Sequence, residues 1–344
     1  MKQRIHFVDV AKGMLILMVI ATHIDGITSN SGLDTKKLWI IGGGGIRYCW
    51  GCFFMQAFFV LNGFTSNFKK PFISFLKSNV SSLLVPWLFF SVFIKLLTGL
   101  VYGEWSMFTV TGDERRIWLD ETYWFLEALF LARIIFWFAL KFIGSKWLRW
   151  FALLLLLIAG VMLNHLMDGK TAIPSDFANY FHYRNAMCMT VFIGLGYWLK
   201  NNKSMLEPYY GYAFIFYVVA MLAACFWGYQ GAIPVYNHTC EMTVKQIPIY
   251  LVFATLGTFA IAWISRLIDH NYILEYFGKG SIVVYTMHFF CLRLIVTVLK
   301  PFFTLTSTAE TTFYFMLVFL ITAFVCMVFI YIFQLPYLRK LLGK

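Results

Sequence analysis

Charged and titratable side chains interrupt the apolar run "HFVDVAKGMLILMVIATHI", residues 6–24. Asp9 and Lys12 lie near its beginning and His23 near its end. An ionised group at the middle of a bilayer costs about 2.5 to 3.5 kcal/mol on insertion scales, so such groups usually face protein or a wet cavity. An imidazole exchanges protons near neutral pH, and an ammonium group attracts anions. The run therefore suggests proton transfer beside an anion-binding position.

The spacing of Lys12 and His23 places them on one face of a helix. Eleven residues turn a helix by about 1100°, about 20° past three full turns, and raise it by about 16 Å. A cation in the inner half of this face and an imidazole at its outer end suit an extended molecule that is anionic at one extremity. A core histidine together with a snorkelling lysine fits the same spacing, and spacing alone does not decide between the two interpretations. Asp9 has its own simple explanation, a carboxylate at the start of a helix.

The composition indicates that the helices of this chain lie in a membrane. The 344 residues are 60% hydrophobic, 20% aromatic and only 13% charged, which is typical of an all-α, polytopic membrane protein. We expect the first apolar run to stay in the protein as its first span, since no signal-peptide cleavage site follows it. About ten segments approach the length of about 20 residues that a bilayer requires: residues 7–24, 48–66, 80–102, 122–140, 147–166, 186–200, 209–228, 246–267, 281–299 and 311–334.

The loop charges predict an orientation. An even number of spans places both termini on one side, and Lys and Arg concentrate in the loops on the side of the amino terminus, which predicts that both termini are cytoplasmic. The net charge of +12 is then mostly a bias of the cytoplasmic face that suits anionic lipid headgroups, and no nucleic acid is needed to explain it. With no repeat and no soluble module, residues 1–344 are expected to form a single membrane-embedded domain.

The motifs along the chain resemble a known family. The pattern Arg4, Asp9, Lys12-Gly13 and His23 is similar to the opening of acyltransferase family three, whose hallmark is a basic residue, ten residues and a histidine in the first span. The pattern resembles especially the branch of this family that includes fucose 4-O-acetylases. Four further segments follow in the family's order: "FFMQAFFVLNGF" (53–64), "YWFLEALF" (123–130), "RNAMCMTVFIGLGYWL" (184–199) and "GKGSIVVYTMHFF" (278–290).

Two positions depart from the family pattern. Asn62 stands where serine commonly precedes Gly63, which affects only the detailed contact made there. Lys12 stands where the family often has arginine, and a lysine cannot form a bidentate fork with a phosphate, although it still binds one as a point charge.

The resemblance implies a membrane O-acyltransferase that moves an acyl group, most often acetyl, from cytoplasmic acetyl-CoA to a hydroxyl group of a cell-surface or exported glycan. His23 is then the general base or a covalent acyl acceptor. Acetyl-CoA is expected as a co-substrate, with no permanently bound cofactor and no metal site. The donor-binding candidates are Lys12, Arg4, His288 and Tyr285, and the candidates for oxyanion or acceptor contacts are Asn62, Arg184 and Glu127.

Several alternatives remain open from the sequence. A secondary transporter of a small anionic solute also has many spans with buried charges, although the two halves of this chain show no repeat. A structural partner of glycan machinery would bind no CoA. His288 is equally compatible with a satisfied core histidine, and Glu127 with a structural pair to Arg133. The compact loops suit a bacterial inner membrane, where the acceptor is a capsule or lipopolysaccharide unit, an exopolysaccharide or a lipid-linked sugar.

Overall fold

The computed structural model describes residues 5–34, 50–105, 123–167, 181–227, 233 and 242–343, with the backbone alone at 165–167. Within these ranges the secondary structure is helical, and no strand occurs. The all-α prediction is therefore confirmed for the described part of the chain.

Fourteen α-helices are numbered here in chain order. They are α1 His6–Asn30, α2 Phe54–Thr65, α3 Phe72–Asn79, α4 Val85–Tyr102, α5 Trp124–Phe142, α6 Lys146–Met167, α7 Tyr183–Asn201, α8 Lys203–Leu206, α9 Tyr210–Phe226, α10 Ile247–Ile268, α11 Tyr272–Lys279, α12 Ser281–Leu299, α13 Thr308–Gln334 and α14 Pro336–Arg339.

Seven helical stretches of the described chain are long and apolar enough to cross a membrane. They are His6–Asn30, Phe72–Tyr102, Lys146–Asn164, Lys203–Phe226, Val244–Ile268, Ser281–Phe302 and Thr308–Gln334. The chain is thus a multi-pass membrane protein. Each of these stretches corresponds to one of the ten predicted segments.

The other three predicted segments form helices of a different character. Helix α2 has only 12 residues and is buried along most of its length. Helices α5 and α7 have 19 residues each. Glu127 and Arg133 interrupt α5, and Arg184 and Asn185 lie buried at the start of α7. Buried polar groups of this kind are tolerated where protein side chains can pair with them.

The chain forms two compact units that alternate along the sequence. The first comprises Met1–Phe58, Glu207–Val235 and Ile249–Leu335, and the second comprises Phe59–Leu206, Tyr236–Pro248 and Pro336–Lys344. Helix α2 begins in the first unit and ends in the second.

In the first unit, α1 packs against α11, α12 and α13, and α12 packs against α13. The approach of α1 to α11 depends on two glycines. A Cβ atom at Gly13 would lie 2.0 Å from the carbonyl oxygen of Leu274, and one at Gly278 would lie 1.9 Å from that of Asp9. The two backbones can approach this closely only because each glycine has a hydrogen atom in place of a side chain.

In the second unit, α7 packs against α5 and α6, and another pair of glycines brings α2 and α7 together. A Cβ atom at Gly63 would lie 2.2 Å from the carbonyl oxygen of Ile193, and one at Gly196 would lie 1.9 Å from that of Val60. A π-helical turn, Val80–Leu84, joins α3 to α4. Pro86 lies two residues after this turn, and a proline has no N–H to continue the regular hydrogen-bond ladder, which accounts for the wider turn.

Candidate active site

Two imidazole rings meet where α1 packs on α12. The ring centroids of His23 and His288 are 5.2 Å apart with an interplanar angle of 40°. Phe289 lies 4.4 Å from both rings, centroid to centroid. The first and last family-like segments of the sequence therefore converge at a pair of histidines.

The hydrogen bonds of His288 fix which nitrogen carries its proton. Its Nδ1 atom lies 2.7 Å from the carbonyl oxygen of Tyr285 and 3.1 Å from that of Val284. A carbonyl oxygen only accepts hydrogen bonds, so Nδ1 is the donor, and in the neutral ring Nε2 keeps a lone pair. The ring is completely buried, and Nε2 has no hydrogen-bond partner among the described residues. A buried lone pair beside a second imidazole is able to accept a hydrogen bond or a proton from a bound molecule.

Other predicted donor-site residues lie in the same unit. Tyr285, one helical turn before His288, is buried, and its ring centroid is 6.1 Å from that of His288. Lys12 is half-buried on α1. Arg4 lies outside the described residues. The structure thus brings together His23, His288 and Tyr285, with Lys12 on the helix that carries His23.

One polar contact next to His23 escaped the sequence analysis. Trp50 donates a hydrogen bond from its indole Nε1 to the Thr22 hydroxyl oxygen, at 2.7 Å. The same hydroxyl donates to the carbonyl of Met18, at 2.8 Å. The residue beside His23 is therefore tied to an indole 28 positions away, and no periodicity in the sequence signals such a contact.

A cluster of charged and imidazole groups surrounds Glu275 of α11. The carboxylate is only 1% exposed. It accepts hydrogen bonds from Lys279, at 2.8 Å, from His6, at 3.0 Å, and from His270. Burial on its own raises the pKa of Glu275, but the hydrogen bonds from Lys279, His6 and His270 hold that pKa at about 2. Glu275 is therefore ionised at physiological pH.

A cation–aromatic arrangement lies at the end of α10. The Arg266 guanidinium carbon is 4.6 Å from the ring centroid of Phe7 and 4.9 Å from that of Tyr210. Its Nη1 atom forms an ion pair with Glu207, at 2.5 Å. The two rings hold the guanidinium in place, and Glu207 compensates its charge.

The second unit holds the remaining predicted residues. Glu127 of α5 is completely buried, and its Oε2 atom is 2.5 Å from Nδ1 of His182. His182 precedes α7 with a φ of 48°, in the left-handed region, and this turns its ring toward α5. The sequence analysis left Glu127 either supporting a histidine or paired with Arg133. Among the described residues its ion-pair partner is His182, while the Arg133 guanidinium lies 5.7 Å from the ring centroid of Phe75.

Arg184 and Asn62 are also placed in the second unit. Arg184 is buried near the start of α7, two residues beyond His182. Asn62 is half-buried on α2, directly before the close approach made by Gly63. The sequence analysis did not single out His182, because the residues before it read as an outer loop.

A cavity with a volume of about 800 Å³ lies in the second unit. Its lining includes Lys146, Arg149, Trp150 and Trp198, and none of the predicted site residues is among the described residues that line it. Arg149 is occupied there by the carbonyl of Ile143, to which its Nη2 atom donates at 2.6 Å. The imidazole pair is therefore the better candidate for the catalytic site, since it offers a buried imidazole nitrogen with no hydrogen-bond partner among the described residues. None of the described residues that line the cavity is a histidine.

Comparison with known proteins identifies one family. A family model described as an acyltransferase domain matches residues 5–332 of this chain. No curated protein and no solved structure matches the chain significantly. The matched range spans all of the helices described above from α1 through α12 and nearly all of α13.

Proposed function

This chain belongs to acyltransferase family three and is a membrane acyltransferase, and from that membership we propose that it acetylates a hydroxyl group of an exported glycan with acetyl-CoA as donor. The observation that carries the proposal is the His23–His288 pair, with the bare Nε2 atom of His288 buried beside the second ring. A family match alone names the class of reaction. The imidazole pair supplies the groups that such a reaction requires.

The proposed chemistry assigns one proton path. A sugar hydroxyl has a pKa far above neutrality, so its proton must leave as its oxygen attacks, and His23 takes that proton as general base. The hydroxyl oxygen forms the new C–O bond to the acetyl carbon, and the C–S bond of the thioester breaks. The departing thiolate takes the proton from His23, which yields free CoA and restores the neutral imidazole. A two-step route in which the acetyl group first moves to His23 uses the same residues and the same overall balance.

The role proposed for His288 follows from its lone pair. Nε2 of His288 can accept a hydrogen bond from the protonated form of His23, and this bond stabilises the positive charge that develops on the imidazolium. The Tyr285 carbonyl holds the ring in the orientation that keeps Nε2 available. His288 is therefore assigned to the reaction centre together with His23.

Lys12 is proposed to bind the anionic end of the donor. It lies on the helix of His23, nearer to the amino terminus, and the phosphates of CoA are the anionic groups of that molecule. Arg4 is proposed to add positive charge at the same end. Asn62, Glu127 and Arg184 stay predictions for contacts with the acceptor or with the oxyanion, as does Tyr285 for the donor.

The proposed orientation places both termini in the cytoplasm of a bacterial cell, with about ten spans in the inner membrane. This orientation lets Lys12 face the compartment that contains acetyl-CoA, while His23 lies deeper in the membrane. Accessibility of single cysteines placed at Ser307 and at Lys340 to an impermeant thiol reagent tests it. Labelling of both from the same side of sealed vesicles would contradict the orientation, because α13 separates them.

The direct test uses the purified full chain in lipid nanodiscs, radiolabelled acetyl-CoA and a lipid extract or glycan from the producing strain. We expect label to move to the acceptor with wild-type protein, and His23→Ala to lower that transfer by about 10² to 10⁴-fold, the range for a general base. Gly26→Ala is the matched control on the same helix, since a Cβ atom there meets nothing within 4 Å. Full activity in His23→Ala removes the proposed base.

A companion measurement separates this activity from transport. Mass spectrometry of surface glycans from cells with and without the gene should show one acetyl group lost per modified sugar. Net uptake of an anionic solute without consumption of acetyl-CoA would instead identify a transporter.

A further inference from the structure

Three potential metal ligands meet at the start of α1. They are His6, the first residue of α1, His270, which precedes α11, and Glu275 on α11. One ligand atom from each lies within 4.8 Å of the others. His6 and Glu275 are 269 positions apart in the chain, so the helix packing alone brings them together.

The backbone conformation around His270 fixes the position of its ring. Asp269 has a φ of 48°, in the left-handed region, which is uncommon for a residue with a side chain. The N–H group of His270 donates to the carbonyl of Ile268, at 2.6 Å, across this turn. Asn271 then caps α11 by accepting a hydrogen bond from the Leu274 N–H, at 3.0 Å. A turn and a helix cap in immediate succession fix His270 and Glu275 relative to each other, and unusual backbone of this kind concentrates at functional positions.

The donor atoms converge as metal ligands do. Nδ1 of His6 lies 3.0 Å from Oε1 of Glu275, and Nδ1 of His270 contacts the same oxygen. The two imidazole rings stand edge to face, with centroids 4.9 Å apart. Ligands held about 2.0 to 2.2 Å from a tetrahedral ion are separated by about 3.3 Å. A small adjustment of these side chains is enough to place an ion between all three.

We propose that His6, His270 and Glu275 bind a divalent first-row transition metal, of which Zn²⁺ is the best match. Two imidazole nitrogens and one carboxylate oxygen form a donor set that Zn²⁺ accepts, whereas Mg²⁺ and Ca²⁺ require mostly oxygen ligands. The three protein ligands leave a fourth position for water or an anion.

Lys279 completes the surroundings of this site. Its ammonium group donates to Oε2 of Glu275, at 2.8 Å, while Oε1 faces the imidazoles. Ligating carboxylates commonly have one oxygen held in this way by an outer hydrogen bond, which fixes their orientation. The bound metal ties the first residue of α1 to α11 and so supports the crossing made by Gly13 and Gly278.

Substitution of the two histidines tests the proposal without disturbing the fold. The side chains of His6 and His270 are 53% and 46% exposed, so His6→Asn and His270→Asn remove a ligand without opening the core. The full chain is purified without a polyhistidine tag, stripped with a chelator and titrated with Zn²⁺ while bound zinc and the thermal unfolding midpoint are measured. We expect about one tight site in the wild type, a rise in the midpoint with zinc, and a loss of affinity of at least about 100-fold in each variant.

Asp269→Asn is the matched control. It removes an exposed carboxylate next to His270 and keeps a residue that tolerates the left-handed turn, so its zinc affinity should equal that of the wild type. Zinc K-edge absorption should show nitrogen and oxygen neighbours that include two imidazoles. Equal zinc binding in the wild type and in both histidine variants overturns the proposal, and so does sulfur coordination, which would locate the metal at cysteines.

Discussion

His288 in the first unit and His182 in the second are both buried, with 0% and 5% of their surface exposed, but their rings are held by different partners. His288 bonds through Nδ1 to backbone carbonyls, and its Nε2 atom has no described partner. His182 bonds through Nδ1 to the buried carboxylate of Glu127. A backbone carbonyl orients the His288 ring without adding a charge and leaves its Nε2 atom available, whereas the contact between His182 and Glu127 ties the residue before α7 to α5. Burial of a histidine therefore does not indicate its role until the partner of each ring nitrogen is known.

Among the variants that compare the two units, the largest effect is expected from His288→Asn. The amide nitrogen of asparagine can replace Nδ1 as donor to the Tyr285 carbonyl, but nothing replaces Nε2. We expect acetyl transfer to fall by about 10²-fold or more, with the unfolding midpoint nearly unchanged, as measured on the same preparation. Unchanged transfer would show that His288 is only a core residue.

The next prediction is the opposite behaviour of His182→Ala. This change leaves a buried oxygen of Glu127 without its hydrogen-bond partner, which costs about 1 to 3 kcal/mol. We expect a lower unfolding midpoint, with transfer per folded molecule mostly retained. Because the amide nitrogen of asparagine can replace Nδ1 as donor, His182→Asn should recover part of the stability. If His182→Ala instead keeps its stability and loses turnover, the second unit holds a catalytic imidazole as well.

The glycine contacts provide a smaller test in both units. Gly278→Ala and Gly196→Ala each place a Cβ atom 1.9 Å from a carbonyl oxygen, and overpacking of this kind costs about 1 to 3 kcal/mol. Because Gly278 packs on the helix of His23, its variant should lower both stability and transfer, while Gly196→Ala should lower stability first. Gly144→Ala, where a Cβ atom meets nothing within 4 Å, should change neither unfolding midpoints nor turnover.

The last prediction concerns donor affinity alone. Lys12→Ala removes one charged contact, which is worth about 1.5 to 3 kcal/mol when it is hydrogen-bonded, so the Kd for acetyl-CoA should rise by about 10-fold or more while the KM for the acceptor stays constant. Lys12→Arg should preserve the affinity. An unchanged Kd in Lys12→Ala would indicate a structural lysine.

The sequence predicted those features that depend on neighbouring residues. The helical class followed from long apolar runs, and the common face of Lys12 and His23 followed from their spacing. Hydropathy was less informative for α2, α5 and α7, because it measures solvent preference, whereas α2 is short and buried and the other two helices carry buried polar groups. A short α2 is tolerated for that reason, since backbone groups buried in protein do not need a full bilayer-spanning helix.

Contacts between distant parts of the chain were not predictable. The expectation of no metal site considered local spacing, whereas His6 and Glu275 meet only through the crossing of α1 and α11. His182 was missed because a left-handed turn directs its ring, and nothing in its neighbours specifies that turn. The glycines of the family-like segments, Gly63 and Gly278, could be noticed in the sequence, but the carbonyls that require them could not.

The hydrogen bond from Trp50 to Thr22 also gives the enzyme a built-in optical probe. An indole changes its emission when the polarity or hydrogen bonding around it changes, and this indole is bonded to the residue that precedes His23. Twelve tryptophans share the total signal, so the difference between the spectra of wild-type protein and Trp50→Phe isolates the contribution of this ring. Arrival of acetyl-CoA near His23 should alter that difference spectrum within the binding time, which makes pre-steady-state kinetics accessible without any attached dye.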